Sequence, residues 1–480
     1  MNNLNFLVDV LKESPVFKTL EKNVKPGRTV CASGLSTINK SNIIYALCRL
    51  KGVTAFCLAS DEKEAQTLCN DLSCMGLRAY VYPVRDFNFL DFQSRSHEYE
   101  HARLKVLLKL INHECDVAIA CVDAAAQLTV PRNVLEQSVI EFEEGRELSL
   151  EKATKALTLL GYERFDAVEG SGQFSLRGGI LDFFMPDSDY PVRCEFWGDE
   201  ITDLSYFDIE TQRRFKKADK ITLSPSTEIV IEDRAALADK IEHKAKLLRS
   251  KNSAKAKEKL FSEAELIRSG AMIANADKFI NQIYDKPESL FDYLDRNTLV
   301  FASEFTAIQE RGKSMDFISN ETLMQGFEDG TLCRGFDRFA LTFNECTEFL
   351  QSHGTIVLEN FVHGSMPIKL SEIISFSTKQ LSAWGGSYKQ LKEDVDGLFT
   401  PESKGVIFAG TERAAKNLCD TFNADGINAV YSEGADKISK GELLVMQGAL
   451  SAGFEYPSQK FFAITYSQVS YRPEKSKKKK

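Results

Sequence analysis

The chain has 480 residues, a hydrophobic fraction of 43%, a charged fraction of 27% and a formal net charge of −9. That length asks for several domains, and the composition is that of ordinary globular protein. The acidic balance argues against a chain whose main task is gripping DNA, because such a chain carries a basic face strong enough to show in the total. Eleven cysteines, an odd number, are scattered without a CxxC pair and mostly inside apolar runs, so they read as small buried hydrophobes of a reducing cytosol. The start MNNLNFLVDVLKESPVF lacks a basic n-region and an apolar h-region, and no apolar run reaches membrane-spanning length. The expectation is a cytoplasmic protein without membrane contact.

In chain order, strands and helices alternate first. Strands are predicted over 28–33, 53–58, 79–82 and 116–122, and helices over 40–49, 61–75 and 98–113, with Asp61 in N-cap position. Such alternation predicts a parallel sheet covered by helices. Between the first strand and helix stands Gly34-Leu35-Ser36-Thr37-Ile38-Asn39-Lys40-Ser41, in the context of a phosphate-binding loop. Gly34, Lys40 and Ser41 keep that pattern, but Asn39 stands where a second glycine normally lets backbone N–H groups close around phosphates. The strand at 298–302 runs into a lone Glu304 where a magnesium-holding acidic pair is needed. These residues favour a degenerate loop over a weak nucleotide site.

His97-Glu98-Tyr99-Glu100-His101 matches the five-letter zincin pattern. Ser94-Arg95-Ser96 before it reads as a loop or helix start, and no third ligand follows at a familiar spacing. A solvated first helical turn without metal is the expectation. From about 131 to 224 the signals are short strands and turns, with one helix at 149–160. Within this stretch, runs at 180–184 and 192–197 flank turn residues 186–191. Val192, Cys194 and Phe196 alternate with Arg193, Glu195 and Trp197, so an apolar trio facing the core would turn an arginine and a tryptophan to solvent. That pair is typical of interface hot spots. Arg177-Gly178-Gly179 marks a tight turn whose glycines are structural, Arg177 less so.

After 225 the chain is helical and charged over 234–269. Its lysine-rich part, 244–259, is interleaved with Glu242 and Glu258, lacks stacking aromatics and reads as a solvated helix face rather than a DNA grip. A strand at 298–302 and irregular α/β sequence follow. A third unit begins near Gln380, with strands at 405–409, 429–431, 441–446 and 461–465 and a helix at 411–422. The end, SYRPEKSKKKK, reads as a charged tail.

The run LRGGILDFFMP…YPVRCEFWGDEITDLSYFDIETQRR resembles the signature of the second domain shared by UvrB and the transcription-repair coupling factors. The order of elements agrees over nearly the whole chain. UvrB itself is disfavoured: it has an intact P-loop, an acidic Walker B pair and a long DNA-clamping hairpin for which 82–103 is too short. The resemblance implies an α/β fold: a P-loop-NTPase-like parallel sheet with an inserted small α+β domain, then a separate small α/β domain. Its divisions are 1–125 and 225–377 for the first domain, 126–224 for the insertion, 378–472 for the third unit and 473–480 for a linker. It implies docking onto UvrA through Arg177, Arg193 and Trp197, with Arg213 a weaker candidate. It implies no catalytic residue, metal or cofactor in this span. RNA polymerase and double-stranded DNA would be engaged by downstream domains, where ATP and magnesium would also act. The alternative is an active UvrB-like ATPase or helicase using Lys40, Ser41 and Glu304.

Overall fold

The computed structural model describes residues 4–85, 97–137, 140–249, 253–270, 276–361, 366–385 and 387–466. The tail after 466, the Ser94-Arg95-Ser96 segment and half of the 82–103 stretch lie outside the described residues. A seven-stranded, all-parallel sheet forms the largest unit, in the order Glu372–Ser375, Val30–Ser33, Thr355–Leu358, Leu299–Ser303, Ala55–Ala59, Val117–Cys121, Ala79–Tyr82. Strands from before and after the 126–224 stretch therefore interleave in one sheet. The central strands are buried along their whole length, as continuous runs such as Val117-Ala118-Ile119-Ala120-Cys121 require when helices cover both faces. Local signals set the helix ends. The Asp61 carboxylate accepts from the Glu64 N–H at 2.7 Å, and Gly52 closes helix Thr37–Lys51 at φ +63°.

The 126–224 stretch builds a second sheet, ordered Arg214–Lys217, Glu200–Phe207, Val192–Trp197, Ile180–Phe183, Gln173–Arg177, Glu163–Arg164, antiparallel except for its last pair. Helix Leu150–Leu159 and the small sheet of Ile140–Glu143 and Lys220–Leu223 cover one face, burying Phe142, Leu157, Phe183, Cys194 and Leu204. Among the described residues no helix or strand covers the opposite face. One additional helix, Arg132–Gln137, precedes this unit.

Helices Arg234–Leu247 and Ser253–Ser269 pack against each other through Leu237, Ile241, Leu260 and Ile267. Part of the lysine-rich stretch, 250–252, lies outside the described residues. Lys244 is not merely solvated: its ammonium donates to the Gly335 carbonyl at 3.2 Å and lies over the Phe336 ring. The region after the 299–303 strand, read as irregular from sequence, holds the 25-residue helix Phe305–Asp329. The third unit has a six-stranded sheet whose centre, Gly453–Tyr456, Phe461–Thr465, Lys404–Phe408 and Glu442–Met446, lies between Lys379–Leu381 and Ala429–Ser432. Its Phe408, Phe454 and Phe461 share one core with Phe6, Leu7 and Leu11 of the N-terminal helix Asn5–Glu13.

Candidate docking face

The open face of the second sheet is assembled by register. Asp182 lies directly opposite Arg193 on one side and Ser175 on the other. In the next row Arg177, Ile180, Glu195 and Asp203 stand side by side. Trp197 ends its strand at the hairpin tip Gly198-Asp199, and Arg177 ends its strand at the tip Gly178-Gly179. These two turns lie at the same end of the sheet, joined by the Phe196 N–H donating to the Gly179 carbonyl at 2.8 Å. A Cβ on Gly179 would stand 2.7 Å from the Phe196 carbonyl oxygen, so the close approach of the tips requires glycine there.

Burial alternates along 192–197 as period two demands, and Trp197 is 81% exposed. Arg193 departs from the expectation of a solvent-facing arginine. Its side chain is 13% exposed. Nε and Nη2 donate to the two oxygens of Asp182 at 2.8 Å each, in a fork-to-carboxylate pair. Nη1 and Nη2 also donate to the carbonyl and Oε1 of Gln212 at 3.2 and 3.1 Å, and the guanidinium lies 4.4 Å from the Phe207 ring centre. The Asp182 hydrogen bonds hold its proton more tightly than usual. The residue is committed because the register places an ionised partner opposite it, and a strand's alternation cannot show that.

Arg177 reaches the same carboxylate, Nη2 to Oδ2 at 2.8 Å, but keeps half its side chain in solvent. Arg213 is exposed on the turn after Asp208, and among the described residues its guanidinium has no partner. That turn carries Gln212 at φ +57°, a conformation held by its bonds to Arg193. Arg193 and Trp197 are four residues apart on one strand, about 13 Å. The expected residues therefore fall in two places: Arg177 and Trp197 at one rim, Arg193 and Arg213 at the other, linked through Asp182. Asp182 was not singled out from sequence. A lone carboxylate inside Ile180-Leu181-Asp182-Phe183, 1% exposed, was the available signal.

The degenerate loop is filled by the protein itself. The Gly34 and Leu35 N–H groups donate to the carbonyls of Asn360 and Glu359, both at 3.1 Å. Lys40 is 1% exposed and donates to Glu64, Ser303 and Glu304 at 3.2, 2.8 and 2.6 Å. Burial pushes the Glu64 carboxyl up, but Lys40 and the Ser303 and Ser60 hydrogen bonds outweigh it and hold it low. Asn39 accepts from the Ser36 hydroxyl at 2.7 Å, and its amide and that of Asn42 donate to the Tyr456 hydroxyl of the third unit at 3.4 and 3.0 Å. Ser41 donates to Asp71 at 3.2 Å, which also accepts from the Ser451 N–H and hydroxyl at 2.7 Å each. Burial pushes Asp71 up to about 6 against those hydrogen bonds. Glu359, beside Glu304, is pushed up to about 7, first by burial and then by that neighbouring carboxylate.

The first turn of helix Glu98–Ile111 is not wholly solvated. Glu100 is 5% exposed and accepts from His97 Nδ1 at 2.9 Å, the Thr227 hydroxyl at 2.9 Å and the Glu228 N–H at 2.8 Å. Arg103, fully buried, donates to Glu228 at 2.6 Å and Gln127 at 2.8 Å and lies over the Tyr82 ring. Among the described residues no group of three or more His, Cys, Asp or Glu is placed to hold a metal ion. All eleven cysteines are free, and nine are buried. Among the described residues no helix is long and apolar enough to cross a membrane.

The family model described as "UvrB interaction domain" matches residues 140–229, the span of the open sheet and its cover. The chain is 26% identical over 484 residues to the transcription-repair-coupling factor of Bacillus subtilis (strain 168), across 98% of this chain and 41% of the relative. It is 25% identical over 421 residues to that of Staphylococcus epidermidis (strain ATCC 35984), across 84% of this chain and 34% of the relative. For Staphylococcus aureus (strain MRSA252) the figures are 22% over 488 residues, 99% and 41%. The chain thus spans about two fifths of the length of the curated relatives it matches, in their N-terminal part.

Proposed function

We propose, from this kinship with the N-terminal part of transcription-repair-coupling factors, that the chain couples transcription to nucleotide excision repair by recruiting UvrA. The open face of the 140–229 unit is the docking surface. The observation that carries this reading is the 81%-exposed Trp197 sharing a rim with a half-exposed Arg177 that a buried carboxylate holds in place. A large aromatic beside a pre-positioned arginine is the composition of an interface hot spot. RNA polymerase stalled at lesions and double-stranded DNA belong to the same proposal, as partners of regions beyond this span.

The test is capture of UvrA by the chain. Trp197→Ala and Arg177→Ala are each expected to weaken binding by about 2 kcal/mol. Arg213→Ala, an exposed charge at the far rim, is expected to cost about 1 kcal/mol or less. Full-strength capture by the Arg177→Ala/Trp197→Ala double variant would sink the reading.

The same proposal makes this span a non-hydrolytic module. Its Gly34 and Leu35 amides and Lys40 are already bonded within the protein, which supports that reading over an ATPase. The purified chain is expected to turn over no ATP above background. Turnover that disappears on Lys40→Ala would favour the ATPase instead.

A further inference from the structure

The loop at 34–36 follows the C-terminal end of its strand. At the opposite, N-terminal edge of the same sheet lies a cavity of about 240 Å³. It is lined by Lys25, Arg28, Lys51, Arg296 and His353, with no acidic residue among the lining. In a chain of 69 acidic and 60 basic residues an acidic neighbour would be the commoner one. Four cations converging on a lining without a carboxylate, with Arg28 alone among them in an ion pair, is therefore a local feature against the composition.

Three different elements supply them. Lys25-Pro26-Gly27-Arg28 is a turn closed by the Arg28 N–H donating to the Lys25 carbonyl at 3.1 Å, with Gly27 at φ +71°. Proline then glycine at the two central positions sets lysine and arginine side by side at its ends. Lys51 is the last residue of helix Thr37–Lys51. Arg296 lies on the turn that the Thr298 N–H closes onto the Asp295 carbonyl at 2.9 Å. His353 is fixed by a 2.9 Å contact from Nε2 to the Thr298 carbonyl, where Nε2–H donates.

Lys25, Lys51 and Arg296 are exposed and make no ion pair among the described residues. Arg28 touches Glu372 at 3.3 Å, and its Nε is buried without a hydrogen-bond partner. Asp295, the residue before Arg296, is engaged by Arg132 at 3.1 Å. Lys51 and His353 also complement the negative ends of their helices. That role does not account for Lys25, Arg28 or Arg296, which sit on turns.

We propose that this cavity binds a phosphate group. The arginine forks suit paired phosphate oxygens, and the lysines add mobile point charges. The volume is below the roughly 300–1,000 Å³ of pockets that enclose whole small molecules, so it takes the phosphate and not an attached nucleoside. The source is either a free polyphosphate or the backbone of a nucleic acid passing over the edge.

The probe is pyrophosphate, titrated calorimetrically into the full chain at constant ionic strength. Saturable one-to-one binding is expected, weakened about tenfold or more in Lys25→Ser/Lys51→Ser/Arg296→Ser, whose three changes are all exposed. Arg296→Ser alone, the mildest change to the fold, is expected to weaken it about threefold. Competition by a short DNA duplex assigns the site to nucleic-acid backbone, and its absence assigns it to free phosphate. No saturable binding, or an affinity that the triple and single variants leave unchanged, overturns the proposal. UvrA capture should be the same in these variants as in the parent chain, which separates this site from the docking face.

Discussion

Replacing Arg193 with alanine would leave the Asp182 carboxylate, 1% exposed, with Arg177 as its only ionic partner among the described residues. Breaking a buried pair costs about 3 kcal/mol, so Arg193→Ala should lower the denaturation midpoint of the chain visibly. Arg177→Ala, removing a half-exposed partner, should change stability by less than about 1 kcal/mol while still weakening UvrA capture. The two arginines are equals in the sequence signature and unequal in the structure. Trp197 was legible because strand alternation reports which face a residue takes. The fate of Arg193 was not legible, because it depends on which residue the register sets opposite it, eleven positions away. Glu359 gives a second residue-scale prediction. Its carboxyl titrates at about 7 in the fold against an ordinary 4.5. The folded state therefore holds that proton more tightly. The stability it contributes is fully present below about 4.5 and is lost as pH rises through about 7. Glu359→Gln should raise the melting temperature at pH 8, change it little at pH 4, and flatten the slope between. An unchanged slope in thermal scans across that window would refute the assignment.

At the scale of elements, the loop-and-helix unit 34–51 keeps the geometry of a phosphate cradle while its donors serve the fold. Gly34 stands at φ +78°, and a Cβ there would come within 2.2 Å of the Phe376 carbonyl oxygen. Gly34→Ala should cost about 2 kcal/mol or more in chemical denaturation, from left-handed backbone strain and displacement of the 376 strand end. A cost within error of zero would mean that the loop does not pack as described. The strand-to-helix context of this loop and the missing glycine were readable in order. The carbonyls of Asn360 and Glu359 that occupy its amides were not, because they return from more than 300 residues away. Helix Phe305–Asp329 was missed for a different reason. Met315, Leu323 and Phe327 pack against the core beside Phe305 and Ile308, but Phe317, Ile318 and Met324 stand exposed on it, so its apolar residues do not fall on the single stripe by which helices announce themselves.

At the scale of the whole molecule, the third unit is welded to the first. The Phe6 and Phe461 rings meet at a tilt with centres 6.2 Å apart, Lys404 bridges to Glu13 at 2.6 Å, and Asp71 holds Ser451. A chain shortened to residues 1–377 should expose Phe6, Leu7 and Leu11, melt at lower temperature and bind a hydrophobic dye. Equal melting temperatures for the long and short chains would show the two units to be independent. The α/β class and the parallel sheet followed from alternation, but this shared core did not, since no local pattern records which distant strand closes it. The 140–229 unit is joined to the sheet differently, by two crossings of the chain. The outgoing one passes Gln127 and Thr129, and the returning one passes Glu228. All three meet at Arg103: its Nε donates to Glu228, its Nη1 to Gln127, and Thr129 donates to the same Glu228 at 2.7 Å. A pull on a partner seated at Trp197 would thus be shared by two tethers in parallel. Neither could lengthen without breaking buried hydrogen bonds to Arg103 or Glu228. The joint is built like a bracket rather than a hinge.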